Sequence, residues 1–139
     1  MKKHKQKMYA DIAQTIAKYG TCNRLQVGSI IVKNDCIIGT GFNGSARGEG
    51  HCHDIGCDEN NGHCVRCVHS ETNAIINASR NGVSTIGAVL FCTHQPCSNC
   101  IRNIINAGII GVYYMQYYGT TANKTLYELI KIEYIGDIK

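Results

Sequence analysis

The 139-residue sequence has no tryptophan, only two phenylalanines and no apolar run long enough to cross a membrane. A surface that binds single-stranded nucleic acid usually combines aromatic rings for base stacking with a basic groove. Four of the 14 Lys and Arg lie in the first seven residues, so the rest of the chain is nearly neutral against 10 acidic residues. The composition therefore favours neither a nucleic acid nor a membrane as a partner.

The basic segment at residues 1–7 is not followed by the apolar stretch and small-residue cleavage site of a secretory signal. It is interpreted as a solvated tail leading into a helix, and we expect a cytoplasmic protein. The 44% apolar and 17% charged composition is that of a globular chain. Residues 1–139 are expected to form a single domain.

Nine cysteines and six histidines give this chain a high content of metal-ligating side chains. Small secreted proteins use many cysteines in disulfides, but the odd number here and the accompanying histidines favour metal binding. Mixed Cys and His ligands are typical of zinc.

Hydrophobic periodicity predicts strands that alternate with helices. Helices are expected at about 8–19, 69–81, 97–107 and 122–130. Strands are expected at 27–32, 36–40, 88–93, 109–114 and 132–135. This order predicts an α/β sandwich whose first two strands form an antiparallel hairpin and whose later strands are parallel. Residues 43–67 show no period, and such a long loop usually needs a metal or a function to order it.

Two short motifs, His69-Ser70-Glu71 and Pro96-Cys97-Ser98-Asn99-Cys100, predict a catalytic zinc site. Cys97 and Cys100 are three residues apart on a predicted helix, so both sulfurs lie on one face. The helix N-terminus favours thiolates, which are the form that binds metal. With His69 they supply three ligands and leave a fourth position for water, as a catalytic zinc requires.

Glu71, two residues after His69, is predicted to be the catalytic acid and base. Zinc lowers the pKa of a water that it binds to about 7. Glu71 can take a proton from the attacking water and deliver it to a leaving amino group. The combined H-x-E and P-C-x-x-C pattern is typical of zinc-dependent base deaminases. A structural zinc knuckle is the alternative, but it gives Glu71 no role.

Beyond these motifs, the sequence resembles the deoxycytidylate (dCMP) deaminases of bacteria and phages, including the form encoded in late-competence operons. The resemblance runs from about residue 8 to the end, in unbroken order, over residues 22–28, 41–45, 51–52, 57, 62–66, 69–75, 93–100, 107–109 and 112–114. The zinc motifs are common to the superfamily, whereas Gly41-Phe42-Asn43-Gly44 and the Cys/His-rich loop at 43–67 indicate dCMP as the substrate.

This resemblance implies a cytidine-deaminase-like α/β fold, a three-layer sandwich with a five-stranded mixed sheet and helices on both faces. It implies hydrolysis of dCMP to dUMP, which supplies dUMP for thymidylate synthesis. It also implies a homo-oligomer, commonly a hexamer, activated by dCTP and inhibited by dTTP with Mg²⁺. The family usually has Ala where this chain has Ser70 and often has Pro where it has Ala46. Ala46 could alter the effector loop.

The Cys/His-rich loop is expected to hold a second, structural zinc, because a metal would order a segment that has no core of its own. Some members of the family offer a precedent. A closed site needs four ligands. The expected set is Cys22, Cys52, Cys57 and Cys64, with His63 or Cys67 as alternates. Cys36 and Cys92 fall in predicted strands and are interpreted as small core residues.

Substrate contacts follow mainly from the resemblance. Asn43 is expected to contact the sugar, Ala74 to form part of the base pocket wall, and Tyr117 to stack on the substrate. The phosphate needs cationic or amide donors, and the candidates are Arg24, Ser45, Arg47 and Arg102. The effector loop is expected to use Gly44, Ser45 and Arg47.

Two other functions remain open. One is deamination of another cytosine nucleotide, such as dCTP by a bifunctional enzyme. The other is a non-enzymatic, zinc-stabilised module for competence or nucleic-acid binding. Glu71 argues against the second, because a binding module has no use for a carboxylate beside the metal.

Overall fold

A central sheet with helices on both sides is the frame of this protein. The computed structural model describes residues 1–22, 24–60, 63–118 and 124–138, with residues 59, 60 and 63 described by their backbone alone. The helices are α1 (Lys3–Ala17), α2 (Cys52–Ile55), α3 (Ser70–Arg80), α4 (Ser98–Asn106) and α5 (Lys124–Tyr127). The strands are β1 (Gly28–Lys33), β2 (Cys36–Phe42), β3 (Glu59–Asn60), β4 (His63–Cys64), β5 (Val89–His94), β6 (Gly111–Gln116) and β7 (Lys131–Tyr134).

Five of the strands form one mixed sheet in the order β2-β1-β5-β6-β7. Strand β1 is antiparallel to both β2 and β5, whereas β5, β6 and β7 run parallel. The predicted five-stranded mixed sheet is therefore confirmed. The predicted hairpin is confirmed as well: Asn34 and Asp35 have φ values of 51° and 63°, which these two residue types tolerate in a two-residue turn.

Two apolar cores, one on each face of the sheet, explain the alternation along β1 and β5. Ile30 and Phe91 point to the α1 side, where Tyr9 and Ala13 are buried. Ile31 and Leu90 point to the other side, together with the buried residues of α3, α4 and α5. Burial on both faces gives the three-layer sandwich that was predicted.

Helix α3 is fixed against the outer edge of β2. The side chains of Asn73 and Asn77 donate hydrogen bonds to the backbone carbonyls of Phe42 (2.9 Å) and Thr40 (2.7 Å). A Cβ on Gly41 would lie 2.3 Å from the carbonyl oxygen of Ser70, so only glycine permits this approach. The pairing satisfies part of an edge strand and sets the position of the first turn of α3.

Some expectations about the first half of the chain were wrong. The basic segment forms the first turns of α1 rather than a tail, since α1 begins at Lys3. The apolar residues Met8, Ile12, Ile16 and Tyr19 recur at helical spacing in the sequence, but Met8 and Tyr19 are exposed. Helix α1 packs instead through Ala13 and Ala17 against Gly28, where a Cβ would lie 2.3 Å from the Ala13 carbonyl oxygen.

Cys36 is exposed, because it begins the edge strand β2, whereas Cys92 is buried as predicted. Residues 43–67 contain α2 and the β3–β4 pair within the predicted loop. The predicted helix at 122–130 corresponds to α5, and residues 119–123 lie outside the described part of the chain. Among the described residues, no helix has both the length and the apolar character needed to span a bilayer.

Candidate active site

The N-termini of α3 and α4 bring together the three predicted zinc ligands. His69 is the N-cap residue of α3, and Cys97 is the N-cap residue of α4. The Nδ1 atom of His69 lies 3.2 Å from the Cys100 sulfur and 3.6 Å from the Cys97 sulfur. All three ligand atoms lie within 4.8 Å of one another. One imidazole nitrogen and two sulfurs at this spacing fit a tetrahedral zinc ion with one position left for water.

Charge at this cluster favours the thiolate of one of the two cysteines, Cys97. Hydrogen bonds from Cys100 and His69 lower the pKa of Cys97 to about 3, although burial opposes this effect. The hydrogen bond with Cys97 and burial raise the pKa of Cys100 well above its usual value. The same Cys97 raises the pKa of His69. A thiolate therefore forms readily at the end of a helix whose dipole stabilises it.

Glu71 lies in the first turn of α3 and is only 4% exposed. Its Oε1 accepts a 2.7 Å hydrogen bond from Ser70 Oγ. The carboxylate also hydrogen-bonds Cys100 and contributes to the raised pKa of that thiol. The predicted acid–base residue is therefore adjacent to the ligand cluster.

The surroundings of the site include residues that sequence reasoning missed. Ser29, near the start of β1, is fully buried, and its Oγ lies 2.7 Å from Ser70 Oγ. A serine inside an apolar strand was the available signal, because a buried hydroxyl needs a partner. Thr93 Oγ1 accepts from the Gly28 amide and bonds His94 Nδ1 at 2.8 Å.

Three of the loop cysteines form a second cluster with Cys22. The sulfurs of Cys22, Cys52, Cys57 and Cys64 all lie within 4.8 Å of one another. The Cys22–Cys57 distance is 3.7 Å and the Cys52–Cys64 distance is 3.6 Å. Zinc–sulfur bonds of about 2.3 Å in a tetrahedron place sulfurs roughly 3.8 Å apart. The donor set therefore fits a closed zinc site.

Local geometry supports one of these thiols as a thiolate. Burial opposes ionisation, but hydrogen bonds from the backbone of Cys67, Arg66 and Asp58 lower the pKa of Cys64 to about 6. The alternate Cys67 is buried with its sulfur 3.4 Å from Cys52, so it is a fifth thiol beside the four. The other alternate, the His63 side chain, lies outside the described part of the structure.

A short bridge connects the loop after β2 to the residue before the zinc-ligand candidate His69. The backbones of Gly44 and Val68 exchange hydrogen bonds of 3.2 and 2.8 Å, and Val68 directly precedes His69. The loop after β2 is thus fixed next to the N-cap of α3. Ser45 donates to the Gly50 carbonyl at 2.8 Å, and Arg47 is exposed in the same loop.

The proposed substrate residues occupy different environments. Asn43 is buried, and its side chain accepts from the Val27 amide (2.8 Å) and donates to the Leu25 carbonyl (2.6 Å). Ala74 is fully buried between α3 and the sheet. Tyr117 is 65% exposed after β6, and its ring stacks on Tyr134 at 4.7 Å. Arg24 and Arg102 are exposed.

An α/β sandwich that presents a His/Cys/Cys cluster beside a buried glutamate is typical of zinc-dependent base deaminases. Residues 2–116 match the model of the family described as the cytidine and deoxycytidylate deaminase zinc-binding region. The chain therefore belongs to that family.

Named relatives agree with this assignment. The chain is 47% identical over 105 residues to ComE operon protein 2 of Bacillus subtilis, covering 76% of this chain and 56% of that protein. It is 34% identical over 116 residues to deoxycytidylate deaminase of Saccharomyces cerevisiae, covering 79% of this chain and 37% of that protein. It thus spans about half or less of the length of these two relatives.

A solved structure resembles nearly the whole chain. The dCMP deaminase of cyanophage S-TIM5, in complex with dCMP and dUMP, superposes with a TM-score of 0.86 at 32% identity. The match covers 97% of this chain and 99% of the phage protein.

Proposed function

We propose that this chain hydrolyses dCMP to dUMP and ammonia at the site built by His69, Cys97, Cys100 and Glu71. The observation that carries the proposal is the convergence of one imidazole nitrogen and two sulfurs within 4.8 Å, beside a carboxylate that is 4% exposed. His69, Cys97 and Cys100 would hold zinc. A bound zinc ion supplies Lewis-acid activation of the attacking water.

Glu71 performs the proton transfers of the reaction. It accepts a proton from the attacking water as the new C4–O bond forms, and it returns a proton to the amino nitrogen as the C4–N bond breaks. The atoms balance, since dCMP and water give dUMP and ammonia. Burial of Glu71 excludes competing bulk water from this exchange.

dCMP is proposed as the substrate because the relatives of known name and the phage structure concern this nucleotide. Asn43, which directly follows β2, is proposed to contact the sugar, with Ala74 and Tyr117 proposed to border the base. Arg24 is proposed to donate hydrogen bonds to the phosphate of the substrate.

Cys22, Cys52, Cys57 and Cys64 are proposed to hold a second, structural zinc. Their mutual spacing supports this proposal. Among the described residues, the buried hydrophobic cluster at this place consists of cysteines alone, so it offers no larger apolar side chains to order the segment. A metal at this position fastens the segment after α1 to α2 and β4.

Regulation and assembly are proposed on the family resemblance. dCTP activates and dTTP inhibits the enzyme, each with Mg²⁺, through the loop that contains Gly44, Ser45 and Arg47. The enzyme is a homo-oligomer, commonly a hexamer in this family. The Gly44–Val68 bridge supports this, because it connects the effector loop to the residue before His69.

The deciding experiment compares kcat/KM for dCMP, CMP, dCTP, cytidine and deoxycytidine, with zinc quantified on the same sample. We expect dCMP to exceed deoxycytidine by at least about 100-fold, because a site built for a phosphate leaves its cationic donors unpaired without it. Equal values for dCMP and deoxycytidine refute a nucleotide deaminase. Faster turnover of dCTP reassigns the chain as a dCTP deaminase.

The effector part is tested with the same assay at low dCMP, with dCTP or dTTP added in the presence and absence of Mg²⁺. R47A is the matched variant, since Arg47 is exposed and is not one of the proposed zinc ligands. Unchanged initial rates with both nucleotides contradict the regulatory proposal without touching the proposed reaction.

A further inference from the structure

A buried chain of hydroxyl groups reaches Glu71 from the strand behind it. Ser29 in β1 and Ser70 in α3 are both fully buried, and their Oγ atoms lie 2.7 Å apart. Ser70 Oγ lies 2.7 Å from Glu71 Oε1 and 3.9 Å from the Cys92 sulfur. Ser29 and Ser70 lie 41 residues apart in sequence, so their contact depends on the fold.

The direction of each hydrogen bond in this chain is fixed by chemistry. An ionised carboxylate only accepts, so Ser70 must donate its single hydroxyl proton to Glu71. Ser70 then has no proton left for Ser29, and Ser29 must donate to Ser70. Ser29 therefore donates to Ser70, and Ser70 donates to the Glu71 carboxylate.

We propose that Ser70, supported by Ser29, is a positioning residue that holds Oε1 of Glu71 and thereby leaves Oε2 as the oxygen that carries the proton in the reaction. Protonation of Oε1 would weaken the 2.7 Å bond from Ser70, because a hydroxyl oxygen is a poorer acceptor than a carbonyl oxygen, whereas protonation of Oε2 leaves Oε1 as a carbonyl acceptor. The bond also fixes the rotation of the carboxylate about its last torsion. This inference rests on the proposed deaminase reaction.

The pairing is a property of this sequence. The family resemblance implies alanine between the histidine and the glutamate, and alanine cannot donate a hydrogen bond. Here the hydroxyl at that position has a buried hydroxyl partner in β1, so the two serines act as a unit. Alanine at 70 also fits the available space, because it is smaller than serine.

The test is a set of four proteins assayed with dCMP: wild type, S70A, S29A and S29A/S70A. We expect S70A to lower kcat roughly tenfold with KM within about twofold, since only the geometry of the proton transfer changes. S29A should lower kcat about threefold, because Ser70 loses its anchor but keeps its bond to Glu71. The double variant should match S70A, since without Ser70 the Ser29 hydroxyl no longer acts on Glu71. S79A on the exposed end of α3 is the matched control and should equal wild type.

Two readouts are independent of turnover. Zinc content and the visible spectrum of the cobalt-substituted protein should be the same in S70A and wild type, because the ligands are untouched. The crystal structure of S70A should show the Glu71 carboxylate rotated from its wild-type orientation. Unchanged kcat in S70A, multiplying losses in the double variant, or an unrotated carboxylate would each overturn the inference. Failure of the wild type to deaminate dCMP overturns the proposed reaction instead, and the carboxylate rotation still decides the positioning role.

Discussion

The Tyr127 hydroxyl donates a 2.7 Å hydrogen bond to the backbone carbonyl of Pro96, the residue before the zinc-ligand candidate Cys97. Tyr127 ends α5, and Pro96 is buried at the start of the turn into α4. Helix α5 therefore fixes the turn that presents Cys97, although it lies 31 residues away in sequence.

Y127F should destabilise the protein by about 1 kcal/mol, because the buried Pro96 carbonyl loses its donor. It should also weaken zinc retention at the first site against a chelator, since Cys97 becomes less fixed. Thermal unfolding and the rate of zinc release measure the two effects. Y19F is the control, as Tyr19 is 68% exposed. Identical behaviour of Y127F and Y19F would mean that the contact contributes nothing.

E71Q should lower kcat by about 10²- to 10⁴-fold while zinc content and thermal stability stay near wild type. Gln keeps the size of the buried side chain and can still accept from Ser70, but it cannot shuttle a proton. The assay is dCMP turnover beside metal analysis of the same preparation. E128Q, at an exposed position of the described chain, controls for a change of charge. Near-normal kcat in E71Q would exclude Glu71 as the acid–base group.

The intact protein should contain two zinc ions per chain, and C52S should contain one. Cys52 is fully buried among the other cysteines, so its loss opens the closed site and lowers the free energy of unfolding by on the order of several kcal/mol. Activity should also fall, because Cys64 lies shortly before His69 in the chain, so loosening the cluster loosens the start of α3.

H69A should lose the other zinc and all activity, whereas C36S should keep both ions, since Cys36 is exposed in β2. Metal analysis by mass spectrometry under native conditions counts the ions directly. A single zinc per chain in the unmodified protein would contradict the structural site.

Much of this fold could be predicted because the apolar period and the turn residues are local signals. The two zinc motifs are also local, since His69 and Glu71, and Cys97 and Cys100, are close neighbours in sequence. The register of α1 was not predictable in the same way. The larger apolar residues of α1 do not mark the face that packs on the sheet. The small residues Ala13 and Ala17 make the close contact with Gly28 instead.

The parts of the site that sequence reasoning missed depend on contacts between distant elements. In the sequence, Ser70 is only a departure from the alanine usual in the family, and Ser29 belongs to no motif. Their hydrogen bond exists because β1 lies beneath the first turn of α3. Distance information of this kind comes from the fold and not from spacing along the chain.

His94 should make stability depend on pH near neutrality. Burial lowers the pKa of His94 below its usual value of 6.5, and the Glu71 carboxylate and Gln116 oppose this effect only in part. Below pH 6.5 the unfolded chain therefore binds a proton that the folded protein resists, so stability falls as the pH drops through this value. H94Q removes the titrating group. Between pH 7.5 and 5.5 the free energy of unfolding should therefore fall less in H94Q than in wild type, with a difference of up to about 1 kcal/mol. Urea unfolding of both proteins at several pH values, with zinc in excess, gives the two slopes. Parallel slopes would show that His94 does not contribute to the acid sensitivity.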